Sequence, residues 1–353
     1  MNLSASTIRP LQVAAFTQGD DVPSARFRVR ALIPLLAEEG LAMREWPARH
    51  GAYPPPGLIA RVKWAPRALA ERAVAMREAA GRDGKGADVA LFQRELLSTM
   101  HTIEDRWRGP AVFDVDDAVW LNQRFGGIDR IAQRLGRAIC GNAYIADHFS
   151  RHAKVWVLPT AVDTAHYQPA KSVARDAGAR VMVWSGSASG LPYLQDIAPA
   201  LARIMTSLPD VRLRIVCNQA PDLRGLPAER VDYWPWDPAT EVEALQTAHL
   251  GLMPMPDTAW TRGKCSFKML TYMACGLPVL VSPWGMNAEV LAHDELGLGA
   301  RNADEWLDAA VALLRDDTLC RRLGDNGRRV VLQHYSAEVI VPKLAAILRE
   351  AAA

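Results

Sequence analysis

Short apolar runs alternate with helical patterns along almost the whole chain. Residues 11–16, 87–92, 111–114, 137–141 and 154–158 are each a few residues long, rich in Val, Ile, Leu, Ala and Phe, and bounded by polar or turn residues. Runs that short cannot complete a stable helix, so they are predicted as strands. Helical spacing of apolar positions falls between them, at 24–39 and 144–152. A second series begins with strands predicted at 180–184 and 211–216, separated by a helix at 193–207. A turn-rich stretch covers 221–229, and Thr240-Glu-Val-Glu243 reads as a capping box opening a short helix. Strands at 250–253 and 278–281 and helices at 303–314, 318–334 and 336–350 complete the pattern. Strand–helix alternation of this kind predicts parallel, doubly wound sheets.

Two such series of similar size predict two Rossmann-like domains, 1–168 and 169–335, with a linker near 165–178. A C-terminal helix, 336–353, is expected to pack back on the first domain. At 353 residues the chain can bury a core in each domain, and 50% apolar with 23% charged residues excludes a disordered class. A net charge of +2 is too small to mark a nucleic-acid binder. Five cysteines without a C-x-x-C pair suggest neither a disulfide framework nor a zinc site. His148 and His152 share a helix face, yet the sequence offers no third ligand beside them, and the reading is no metal. No apolar stretch is long enough to span a bilayer. The first ten residues lack a signal-peptide core, so the expected location is cytoplasmic, with room for peripheral contact at the inner face of a membrane.

The richest segment is 261–282. A basic, glycine-containing loop (Thr261-Arg-Gly-Lys-Cys) runs into a helix carrying Phe267, Leu270 and Met273, which Cys275-Gly276 ends before the strand Val279-Leu280-Val281. A helix starting beside Lys264, Ser266 and Lys268 suits an anion, because its N-terminal N–H groups and dipole favour negative charge. The bland alternative is solvated surface lysines. Leu270 to Leu291, LTYMACGLPVLVSPWGMNAEVL, resembles the signature of nucleotide-sugar-dependent glycosyltransferases of family 4, a GT-B group. Where that signature has two glutamates, this chain has Gly263 and Thr271.

The resemblance implies an α/β GT-B fold, two Rossmann-like domains facing a cleft, with the second domain holding a nucleotide-diphosphate sugar as co-substrate and no other cofactor. Gly186, Ser187, Trp236, Lys264, Ser266, Phe267, Lys268 and Thr271 are the donor-binding candidates it points to. Trp236 is equally readable as a packed core residue. The loop 184–193 lacks the Arg and Lys with which many relatives clamp the diphosphate, and Lys264 and Lys268 are the expected substitutes. In the first domain, Arg26 and Arg28 of the P-S-x-R-x-R stretch offer forked donors for an acceptor. Asp114, Asp116 and Asp117 cluster at a strand end. By residue type they could bind metal, act as a base, contact sugar hydroxyls or cap a helix. The resemblance favours Asp116 and Asp117 as catalytic or acceptor-contacting groups without a metal. Retaining sugar transfer to a glycan or lipid-linked acceptor, in cell-envelope polysaccharide synthesis, is the implied function. A non-catalytic nucleotide- or sugar-binding partner of a glycosyltransferase complex is the alternative that the missing glutamates suggest.

Overall fold

The computed structural model describes residues 9–81, 86–98, 103–122, 127–170 and 178–353. The chain divides into two compact units, Met1–Ala161 with Glu338–Ala353, and Val162–Ala337. The predicted linker lies partly outside the described residues.

The first unit is built on six parallel strands: β1 (Leu11–Thr17), β2 (Leu41–Pro47), β3 (Val89–Gln93), β4 (Ala111–Val115), β5 (Arg137–Cys140) and β6 (Lys154–Val157). Their order is β2-β1-β3-β4-β5-β6, so the chain reverses direction across the sheet between β1 and β3. β3 and β4 are buried throughout, as a parallel sheet covered on both faces requires. Phe16 stacks on Phe92 at 5.0 Å between ring centroids, and the edge of Trp107 closes that layer. The helix Leu58–Ala80 buries Arg72, whose guanidinium donates to the carbonyls of Thr17 (2.6 Å) and Trp46 (2.8 Å). It thereby satisfies backbone acceptors at the ends of β1 and β2, while burial lowers its pKa to about 10. The C-terminal helix Ala337–Ala352 joins this unit through ion pairing of Lys154 with Glu350 and a bond from Arg349 to the Glu39 carbonyl.

The second unit repeats the plan with β7 (Arg180–Gly186), β8 (Val211–Cys217), β9 (Val231–Pro235), β10 (Leu250–Met253), β11 (Val279–Val281) and β12 (Gly297–Gly299). All pairings are parallel, in the order β12-β11-β10-β7-β8-β9. The chain runs outward from β7 to β9, then returns to β10 and runs the other way. The switch point therefore lies between β7 and β10, where open α/β sheets bind ligands beyond the carboxyl ends of the strands. Trp184, Leu201, Ile204, Leu213 and Trp306 anchor one core layer. No helix among the described residues is long and apolar enough to cross a membrane.

Three strands escaped the pattern reading: β2, β9 and β12. All are edge strands, half-exposed and rich in polar residues or glycine, so they lack the apolar run that marks a buried strand. The predicted helix 24–39 is two helices, Pro23–Arg28 and Ile33–Glu38, joined by a tighter turn at Arg30–Leu32. Pro34 has no N–H to continue the ladder. Pro199 likewise divides 193–207 into Leu191–Asp196 and Ala198–Ser207. The capping box is absent: Thr240 makes no side-chain cap. Asp237 shapes the entry instead, its carboxylate accepting from the Ala239 N–H at 2.8 Å and its carbonyl from Thr240 and Glu241.

Candidate functional site

In the second unit the chemistry gathers at the carboxyl end of β7. The loop that follows packs so tightly over the Trp184 indole that a Cβ at Gly190 would meet Trp184 Cζ2 at 2.8 Å. Lys268 arrives from the opposite side of the switch point. Its ammonium lies 5.4 Å from the Trp184 ring centroid, and a Cβ at Gly186 would come within 3.0 Å of its Nζ. Small residues here thus make room for the cation. Ser187 and Ser189 share a hydroxyl contact at 2.9 Å, and Asn218 holds the Ala188 N–H at 2.9 Å.

What aims Lys268 is the packing of its helix, Phe267–Ala274, against β10. Gly251 permits that approach, since a Cβ there would lie 2.5 Å from the Tyr272 ring. Tyr272 then reaches β7, where its hydroxyl accepts from the Ser185 N–H at 2.8 Å. Burial pushes that phenol's pKa upward, so it stays neutral. Ser266, the residue before the helix, is buried and left-handed (φ 49°) and gives no side-chain cap. Its hydroxyl bonds to Asn287 Oδ1 at 2.7 Å, and Asn287 Nδ2 donates to the Ser282 carbonyl at 2.9 Å. The Lys268 cation, in the first turn of this helix, therefore lies at the glycine loop.

The other donor candidates lie differently. Lys264 sits over the Trp260 ring at 4.5 Å, and Arg262 pairs with Asp257 at 2.6 and 2.9 Å. Thr271 is buried, and its hydroxyl donates to the Lys268 carbonyl at 2.8 Å within its own helix. Phe267 is half-buried at the helix start. Trp236 follows the edge strand β9 at the same carboxyl edge and is 37% exposed. Pattern reading missed Glu241, a buried carboxylate that accepts from Tyr167 Oη at 3.0 Å and meets Ser185 Oγ at 3.5 Å beneath the glycine loop. It also missed a cavity of about 310 Å³ lined by Tyr193, Asp257, Trp284 and Arg301 among others. Its walls come from four separate chain segments, so no local motif announces it.

At the carboxyl edge of the first unit, Arg28 is 6% exposed. It grips Asp114 with two bonds, Nε to Oδ2 at 2.8 Å and Nη2 to Oδ1 at 2.5 Å, and also donates to Thr160 Oγ1 and the Leu158 carbonyl. Burial raises the Asp114 pKa against the opposing pull of Arg28. The geometry makes Arg28 a brace between the first helix, β4 and the end of β6. Arg26 is half-buried, its guanidinium over the Phe27 ring at 5.0 Å. Asp116 and Asp117 both meet Arg94, at 2.6 and 2.8 Å. Burial opposes the Arg94 charge, but the two carboxylates outweigh it and hold its pKa well above the ordinary value.

Arg94 is itself a strained position, a non-glycine residue at φ 59° just past β3. On either side of it stand Gln93 and Glu95, buried to 1% and 3% exposure. Among the described residues, the Gln93 amide, Glu95 Oε2 and Ser24 Oγ have no hydrogen-bond partner. Gln18 donates to the Glu95 carbonyl at 3.1 Å and accepts from Tyr53 Oη at 3.1 Å. The same strand-end rule that singled out Asp116 and Asp117 applies to Gln93-Arg94-Glu95, which ends the apolar run of β3.

Residues 179–316 match the model of the family described as Glycosyl transferases group 1. No curated protein matches the chain in sequence. Among solved structures, sucrose-phosphate synthase from Thermosynechococcus elongatus superimposes with a TM-score of 0.70 at 15% identity, over 96% of this chain and 98% of that one. A glycosyltransferase from Rickettsia africae gives 0.69 at 11% identity, over 98% and 99%. Anabaena HepE, solved with UDP and glucose, gives 0.67 at 14% identity, over 96% and 100%. The chain has the GT-B fold of these structures, and its residues 179–316 are similar to the glycosyl transferases group 1 family.

Proposed function

We propose that this protein is a glycosyltransferase that moves a sugar from a nucleoside-diphosphate donor to a hydroxyl of a glycan or lipid-linked acceptor. The observation that carries the reading is the placement of Lys268 at the Gly186–Gly190 loop, beside the β7/β10 switch point and at a helix start. A diphosphate there meets a cation and a helix dipole, which stabilise the charge that develops as it leaves. In the step itself the bond between the anomeric carbon and the diphosphate oxygen breaks. A bond forms from that carbon to the acceptor oxygen, and the acceptor's proton passes to the departing diphosphate. Retention of configuration, a place in cell-envelope polysaccharide synthesis and peripheral membrane contact belong to the same proposal by family likeness.

The acceptor is assigned to the first unit. A sugar's hydroxyls both donate and accept, which suits the unpartnered Ser24, Gln93 and Glu95 groups. Asp116 and Asp117, oriented by Arg94, are the carboxylates proposed to contact the acceptor hydroxyl.

Titration of UDP and uridine, and of the matching guanine and adenine pairs, tests the donor site. Lys268→Ala should weaken the bound diphosphate about tenfold or more and its nucleoside little, since a hydrogen bond to a charged group contributes roughly 1.5 to 3 kcal/mol. Lys264→Ala should do less, given its seat on Trp260. Equal and small effects on both ligands would remove Lys268 from the site. Diphosphate-sugar binding without turnover across an acceptor panel would support the non-catalytic partner reading, which the residues at Gly263 and Thr271 favour.

A further inference from the structure

Outside both candidate half-sites, the first unit holds a side-chain cluster with the composition of a metal centre. Asp129, in the first turn of the helix Gly127–Leu135, faces His148, in the last turn of the helix Ala143–Phe149. Asp129 Oδ1 and His148 Nε2 are 2.8 Å apart. His152 completes the group from the turn just beyond that helix. The turn is fixed by bonds from the His152 and Ala153 N–H groups to the Phe149 carbonyl, at 2.9 and 3.0 Å. One ligand atom from each of the three residues lies within 4.8 Å of the other two, and all three side chains are partly buried.

We infer that Asp129, His148 and His152 form a binding site for a borderline divalent transition metal, with zinc(II) as the occupant. Three features carry this beyond an ordinary Asp–His pair. First, tetrahedral zinc with bonds near 2.0 to 2.1 Å sets its ligand atoms about 3.3 Å apart, so the 2.8 Å contact must open slightly while the separations to His152, within 4.8 Å, adjust toward the same value. Second, the His148 imidazole is already oriented: it stacks flat on Trp120 at 4.0 Å with 8° between the planes. The His152 ring is tilted 50° to it at 5.8 Å, so the two rings are not locked face to face. Third, Asp129 and His148 lie in helices and His152 in a turn fixed by backbone hydrogen bonds, so little order must be gained on binding. Two imidazoles and one carboxylate select zinc, cobalt or nickel over magnesium or calcium, which demand oxygen ligands. Water would fill the fourth position.

The ion would join the segments that precede and follow β5, and through Trp120 it would brace the turn that follows Asp116 and Asp117. Its role is structural, and it stands independently of the donor-site reading. His148 and His152 were visible as an i, i+4 pair in the sequence; Asp129, distant along the chain, is the ligand that only folding supplies.

The test uses the full-length protein, stripped with EDTA and freed of the chelator. Competition against a chromophoric zinc chelator should show one zinc per chain, and cobalt(II) should give the visible bands of tetrahedral coordination. Magnesium at the same concentration should not compete. Asp129→Ala, His148→Ala and His152→Ala should each weaken zinc at least tenfold, while His334→Ala leaves it unchanged. Asp129→Asn keeps an oxygen for His148 to bond and so guards against misfolding as the cause; it too should lose zinc. Zinc about a hundredfold above its Kd should raise the melting temperature by roughly 5 to 10 °C, and His152→Ala should abolish that rise. Failure to bind one equivalent, or binding that the three ligand variants leave intact, would overturn the inference.

Discussion

Replacing Arg28 with alanine should damage the first unit far more than it changes any contact with substrate. Both members of the Arg28–Asp114 pair are nearly sealed from water, with side-chain exposures of 5% and 4%. Removing the guanidinium leaves a buried carboxylate whose pKa burial has already raised, with its principal counter-charge gone. It also strips donors from Thr160 and the Leu158 carbonyl. Breaking one side of a buried pair costs about 3 to 5 kcal/mol, which in a unit of this size lowers the melting temperature by roughly 10 °C or more. Asp114→Asn removes the charge but keeps an acceptor, and should cost less. Arg28→Met combined with Asp114→Leu replaces the pair with apolar groups and should recover much of the loss, because desolvation of both charges is avoided. Urea denaturation of the wild type, both single variants and the double variant closes the cycle. If Arg28→Ala unfolds at the wild-type midpoint while transfer to acceptor falls, the ion pair is not structural. The residue would then belong to the acceptor site, as its sequence motif suggests.

Other outcomes follow from particular contacts. Glu104, fully buried against Glu95 although it accepts the Leu96 and Ile103 N–H groups, is pushed up to about 7 by burial. Because the folded state then holds a proton that the unfolded chain releases near pH 4.5, this group's stabilisation is complete below about pH 4.5 and is lost as pH rises through 7, on the order of 3 kcal/mol. Glu104→Gln should flatten that part of the stability–pH curve in chemical denaturation, and an unchanged slope would refute it. Gly251→Ala drives a methyl into the Tyr272 ring; it should destabilise by about 1 to 3 kcal/mol and weaken nucleoside diphosphates as Lys268 shifts, read by melting and titration. Asp117→Asn should depress sugar transfer while leaving donor affinity within a few-fold, and wild-type turnover would exclude a chemical role for that carboxylate. Transfer measured well below the melting temperature should survive EDTA, and a requirement for added magnesium or manganese would show that the chemistry itself uses a metal.

What the sequence determined is set by local rules. Buried parallel strands must be short and apolar, so β1, β3, β4, β7, β8 and β10 announced themselves, and with them two doubly wound units. The Cys275-Gly276 stop and the apolar spacing of Phe267, Leu270 and Met273 located the helix that carries Lys268. Only the tertiary structure decided which of three neighbouring cations lies at the glycine loop. Arg262, Lys264 and Lys268 read alike in one dimension, but packing of Tyr272 on Gly251 turns Lys268 toward β7 and leaves Lys264 on Trp260. The edge strands β2, β9 and β12 were hidden because an edge needs no continuous apolar run, and their pairing depends on neighbours far along the chain. Partnerships such as Arg28 with Asp114, Arg94 with Asp116 and Asp117, and Asp129 with the two histidines span 86, 22 and 19 residues or more. No periodicity encodes them: each arises where separate strand ends and helix ends converge, a juxtaposition fixed by the order of strands in the sheet.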